Sequence, residues 1–132
     1  MAEFLISKGA NINDKDEFEL TPLYVAVENN SIETVKLLIS HGANINEKDK
    51  YGSTALHIAA EKNNTELAEL LISHGAYIND KDQFGQPPLH IAVLKNSKET
   101  IELFISHGAN INEKDKFKKR LFILQQKPIL KN

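Results

Sequence analysis

The chain has 132 residues, of which 41% are hydrophobic and 26% charged, with a formal net charge of −2, the balance of an ordinary globular domain. No run of 18 or more apolar residues is present to span a bilayer, and the start lacks the basic region and apolar core of a secretory signal, so an intracellular, cytoplasmic protein is expected. With no cysteine there is no disulfide framework and no thiolate ligand or nucleophile; the absence of tryptophan argues against base-stacking nucleic-acid modules.

The chain repeats itself. Gly9, Gly42, Gly75 and Gly108 recur at one spacing, each followed by Ala-x-Ile-Asn, and the segment from Ile39 to Lys50 returns unchanged from Ile105 to Lys116. His41, His74 and His107 keep the period, as do Asp16, Asp49, Asp82 and Asp115. A fixed period of this length marks stacked supersecondary units.

In chain order, residues 2–8 fit only the second helix of a unit. Pro22–Asn29 then opens a first helix behind Thr21, a good N-cap, with Pro22 at the first helical position, where a missing N–H costs nothing. Ala55–Lys62 behind Thr54 repeats it. Small residues at Ala26, Ala59, Ala60 and Ala92 let neighbouring helices approach closely. Asn30, Asn63 and Asn96 share the column at the helix end, where a left-handed backbone is expected. A second helix follows at once, with Ser31, Asn64 and Ser97 expected as N-caps and Glu33, Glu66 and Glu99 in the first turn against the dipole. Val35, Leu38, Ile39 and Ile101, Phe104, Ile105 have the spacing of one buried face. The period's glycine ends this helix, and a polar, turn-rich loop leads to the next unit.

These residues resemble the ankyrin repeat. Thr54-Ala-Leu-His57-Ile-Ala-Ala60 is similar to that family's signature at the first helix, and Leu37-Leu-Ile-Ser-His-Gly-Ala43 and Leu70-Leu-Ile-Ser-His-Gly-Ala76 to its second helix and glycine turn. The likeness covers roughly residues 1–118 and is nearest in look to the large ankyrin expansions of AT-rich eukaryotic microbes. It implies an all-α solenoid of helix-turn-helix units joined by hairpin-like loops: a partial leading unit over 1–15, full repeats over 16–48, 49–81 and 82–114, and a degenerate terminal unit or tail over 115–132. The departures are Tyr24 in place of His, Pro87 in place of Thr, and Glu19 and Lys118 in place of a loop glycine.

The tail breaks the pattern. Permitted codons for Lys119 through Asn132, read from one base before the Arg120 codon, can spell Thr-Ala-Leu-His-Ile-Ala-Ala-Glu-Thr-Asn-Ser-Lys-Glu, in the register that the period demands. A base lost from the A-run of Lys118 and Lys119 would produce the tail as it stands; the rival is a divergent natural cap. In either case Leu121, Phe122 and Leu124 are expected to cover the third unit.

No chemistry of catalysis emerges. The His ladders offer no third ligand or cysteine for zinc; His41, His74 and His107 read as helix C-terminal residues, and the resemblance implies that His57 and His90 bond neighbouring loop backbone. Ser40, Ser73 and Ser106 lie beside the first His column, but adjacent helical residues are expected to point apart. The Asn-x-Ser/Thr sequences at Asn29 and Asn63 read as turn residues, unmodified. Neither enzyme activity nor a metal or cofactor is expected.

The expected function is protein binding. Phe18, Tyr51, Phe84 and Phe117 share a column two residues after the loop Asp, which the resemblance places near exposed loop tips: an apolar stripe on a polar surface, or rings packed on the next loop. Beside them Glu17, Lys50, Gln83 and Lys116 vary between units, as do Glu28, Asn29, Glu61, Lys62, Leu94 and Lys95 at the first-helix ends; the resemblance puts these on the concave face. Residues 1–33 are net acidic and 100–132 net basic, a gradient that could orient a partner. The expectation is a monomer that binds a protein partner, without nucleic acid or membrane insertion. The alternatives are a subunit that blocks an enzyme's cleft and a segment of a larger ankyrin scaffold.

Overall fold

The computed structural model describes residues 11–111. Its six helices, α1 (Pro22–Glu28), α2 (Ile32–Ser40), α3 (Ala55–Glu61), α4 (Thr65–Ser73), α5 (Pro88–Leu94) and α6 (Lys98–Ser106), form three pairs, with no strand among the described residues. Within each pair the helices pack on one another; between pairs, α1 stacks on α3 and α3 on α5, while α4 stacks on α6. The inner row α1–α3–α5 is close because Ala26, Ala59, Ala60 and Ala92 bring backbone rather than side chain to the contact, and all four are buried. Larger residues fill the space between the rows: Leu23, Val35, Leu38, Leu56, Leu67, Leu71, Leu89, Ile101 and Phe104 have essentially no exposed surface. Every repeat thus shares one continuous core with its neighbours.

Both helices of each pair end in the same way. After α1, Ser31 N–H donates to the Ala26 carbonyl at 2.9 Å and Asn30 N–H to that of Val27 at 3.0 Å, the paired bonds of a Schellman cap. Asn63 and Asn96 repeat the arrangement, and all three asparagines are left-handed, with φ of 57°, 53° and 55°. The second helices use Gly42, Gly75 and Gly108 at the equivalent point. Ser31 does double duty: its N–H closes α1, while its carbonyl accepts the first bond of α2, from Val35 N–H at 2.9 Å. No residue is spare, which fixes the angle of the pair.

The expected caps hold in part. Thr21 and Thr54 accept from backbone N–H groups with their side chains, and Asn64 Oδ1 accepts from Leu67 N–H at 3.0 Å. Ser31 and Ser97 occupy the N-cap positions, but their hydroxyls make no capping bond. Thr21 and Thr54 are fully extended, with ψ of 161° and 173°, whereas Ser31, Asn64 and Ser97 have ψ of 82°, 90° and 84°. That tighter turn carries the side chain away from the helix end, and only the longer Asn reaches back. Pro87 stands at the threonine position of the third unit and caps nothing.

Units are joined by side chains as well as by packing. Asn13, Asn46 and Asn79 each accept from a backbone N–H of the following unit, those of Asn44, Tyr77 and Asn110, at 2.7–2.9 Å. The amides of Asn46 and Asn79 also donate to the carbonyls of Gly75 and Gly108. Lys15 and Lys48 reach one unit on to the carbonyls of Lys48 and Lys81.

The loop column at Glu19, Gly52 and Gly85 is left-handed throughout, with φ of 63°, 78° and 77°, so the departure at Glu19 keeps the turn and bears the strain. A Cβ on Gly52 would come within 2.9 Å of Gln83 N, the amide that donates to the Tyr51 carbonyl at 2.9 Å. No equivalent bond joins Lys50 to Phe18, across from Glu19. Two substitutions therefore run in opposite directions under urea denaturation: Glu19→Gly is expected to raise unfolding free energy by about 0.5–1 kcal/mol and Gly52→Ala to lower it by more than about 1 kcal/mol. Equal effects at the two positions would contradict this reading.

Candidate functional site

Each loop tip is closed around one aspartate. Asp49 Oδ1 accepts from Tyr51 N–H at 2.8 Å and Ser53 N–H at 2.9 Å, while its backbone N–H bonds the Ser53 carbonyl and its carbonyl accepts from Gly52. Asp16 and Asp82 repeat these contacts around Phe18 and Phe84. A carboxylate that accepts two backbone N–H groups holds the turn in one shape, so the residue at its apex has a fixed position. That residue is the aromatic one.

Phe18, Tyr51 and Phe84 are 59%, 51% and 44% exposed: neither packed away against the next loop nor fully free. The Gln83–Tyr51 bond ties two tips together, and Lys50 Nζ lies 5.3 Å from the centre of the Tyr51 ring, a cation–π contact that leaves the rest of the ring open. Glu17, Lys50 and Gln83 beside the rings are exposed, and so are Glu28, Asn29, Glu61, Lys62, Leu94 and Lys95 at the inner-helix ends. Leu94 is the most exposed large apolar side chain among the described residues, at 65%. Phe117 and Lys116 lie outside the described residues, as do residues 2–8, Lys118 and the tail with Leu121, Phe122 and Leu124. The sequence pattern missed Tyr77, 61% exposed where the other units have Asn. Its one signal was that replacement.

His41, His74 and His107 close helix ends. His41, His74 and His107 place Nδ1 2.9–3.0 Å from the carbonyls of Leu37, Leu70 and Leu103, so Nδ1 carries the proton and donates to the helix end. Contrary to the expectation that they point apart, each adjacent serine Oγ lies 3.2 Å from the neighbouring Nδ1, because hydroxyl and imidazole converge on the same carbonyl. The serine Oγ donates to that oxygen at 2.7–2.8 Å. A nitrogen that is already a donor there cannot take the serine's proton, and no nucleophile is made. No group of three or more His, Asp or Glu side chains among the described residues is placed to hold a metal ion.

His57 is different: buried, and set between units. Thr54 N–H donates to its Nδ1 at 3.1 Å, which leaves Nε2–H to donate to the Gln86 carbonyl of the next loop at 2.8 Å. In the first unit Tyr24 makes the crossing instead, its hydroxyl donating to Asp49 Oδ2 at 2.6 Å; burial and the Asp49 carboxylate push the phenol far above its ordinary value. Tyr24 so braces the aspartate that shapes the Tyr51 tip.

The units therefore form a helical-repeat solenoid, with rigid loop tips and inner-helix ends as its chemically varied surface. A model of ankyrin repeats (3 copies) matches residues 1–82 and again 49–115; the chain belongs to the ankyrin-repeat family. No curated protein matches it. Ankyrin repeats generally mediate protein–protein interaction and are typically non-catalytic. No helix of the described residues is long and apolar enough to cross a membrane.

The His57 contacts set a pH dependence. Burial holds its imidazole below the ordinary value, against the opposing pull of the Gln86 carbonyl and Asp82. The unfolded chain thus takes up the proton first, near pH 6.5, and stability falls as pH drops below that point until the folded imidazole also protonates. Chemical denaturation between pH 7.5 and 5 should show this loss, and His57→Asn should make the dependence shallower while lowering stability at pH 7.5. An unchanged slope in the variant would contradict the assignment.

Proposed function

We propose that this protein binds a protein partner through the concave face, with the Phe18–Tyr51–Phe84 tips as anchors and the inner-helix ends from Glu28 to Lys95 as the selective surface. The observation that carries this reading is the fixing of three half-exposed rings by three identical aspartate turns. Rigid aromatics lose little conformational freedom on contact and are enriched among residues that dominate binding energy. A helix cap or a core has no use for a ring held outward. The inner-helix ends pass from Glu28 and Asn29 through Glu61 and Lys62 to Leu94 and Lys95, so a partner meets acid at one end and an apolar, basic surface at the other. That sequence of charges gives it a preferred direction.

A photo-crosslinking amino acid at Tyr51 should capture the partner in cells, whereas the same group at Glu69, exposed on α4, should not. Tyr51→Ala with Phe84→Ala should weaken the captured complex at least ~10-fold, as expected for removal of anchor residues, with the helical circular dichroism unchanged. Equal capture from both positions would remove the concave-face reading.

A further inference from the structure

The inner-helix stacking column changes at the third unit. Val27 and Ala60 occupy one column in α1 and α3 and have no exposed surface, because α3 and α5 respectively lie over them. Val93, the next residue in that column, is only half-buried. The spacing that relates these three residues carries the column on to position 126.

The chain at that point reads Lys-Lys-Arg-Leu-Phe-Ile-Leu-Gln-Gln. We propose that the Val93 side of α5 is built to stack a fourth ankyrin unit, and that the gene encodes that unit one reading frame away from residues 120–132. The genetic code restricts this frame sharply. The junction of Phe122 and Ile123 can be read there only as His or Tyr, the two residues found at 24, 57 and 90. The junction of Gln125 and Gln126 gives only Ala or Thr, in the column of Val27, Ala60 and Val93. The junction of Lys131 and Asn132 gives only Lys or Glu, in the column of Glu33, Glu66 and Glu99. Freely chosen third bases then complete Thr-Ala-Leu-His-Ile-Ala-Ala-Glu-Thr-Asn-Ser-Lys-Glu. Every residue of it except the second Thr occurs in the same column of one of the three units.

The assignment also makes structural sense. The Thr at 120 supplies the cap that Thr21 and Thr54 provide, and the Ala pair at 125–126 matches Ala59 and Ala60, which allow the inner row its close approach. Asn at 129 supplies the left-handed terminus of Asn30, Asn63 and Asn96. The residues at 127 and 128 would extend the inner-helix surface by one more step. The inference does not depend on what that surface binds.

Two experiments test it. Sequencing the genomic DNA and the transcript across codons 116–132 should reveal third bases that spell the ankyrin unit in the shifted frame; third bases that spell another sequence overturn the coding half. For the structural half, residues 120–132 are replaced by the shifted-frame sequence. The replaced chain should melt ~5 °C or more above the present one, the scale of a newly stacked helix in a domain of this size. Val93→Thr, made in both chains, should lower the melting temperature more in the replaced chain, where position 93 becomes fully buried. An unchanged or lower melting point, or equal effects of Val93→Thr, overturns the fourth-unit assignment.

Discussion

Helices of seven and nine residues are too short to persist alone in water, and the whole molecule follows from the neighbour that each of them needs. In the first pair Leu23, Val27, Val35 and Leu38 belong to a core that runs on into the next pair, where α3 stacks on α1. Packing therefore sets the period, and the period sets every side-chain bond that crosses between units. The Asn13, Asn46 and Asn79 bridges, the lysine reaches and the His57 contact are all the same act of attachment seen at different depths, from solvent to core. Because each joins only adjacent units, stability is local and accumulates along the array.

The same rigidity gives the surface its character. A loop tip on most proteins is a place of motion, yet here an aspartate accepts two backbone bonds at each tip and the neighbouring tip adds a third constraint through Gln83 and Tyr51. Tyr24 shows how far core and tip are one device: a side chain rooted among the buried residues of α1 ends on the carboxylate that shapes the Tyr51 loop. Residues that point away from this frame, such as Glu28, Glu61 and Leu94, vary between units. Their chemistry can change without disturbing a single structural bond.

Much of this was legible in the sequence because the constraints are backbone constraints. Only a few residue types accept a left-handed φ, so the Asn and Gly columns announced both helix ends, and the alanines at 26, 59, 60 and 92 announced where neighbouring helices approach closely. Glu19 could be picked out as an intruder in a glycine column for the same reason. What escaped was side-chain reach. The ladder from Asn13 to Asn79 has no local pattern, since its partners lie 31 residues away. Ser31 and Ser97 have the right identity for a cap but the wrong ψ, which the residue type alone does not reveal. The meeting of each serine with its neighbouring histidine came from a shared carbonyl, not from helical geometry.

The joints between units are chemically alike, and this has a consequence for the gene. If recombination removes or inserts whole periods, the new neighbours find the same Asn, the same Lys and the same waiting carbonyls, and no donor is left orphaned. Unequal crossing-over can therefore lengthen or shorten such an array freely, provided that the exchange preserves a span of 33 codons. A slip of one nucleotide has the opposite character: it erases every joint beyond it at once. An architecture so tolerant of gain and loss by the unit is thus unusually exposed to error by the base.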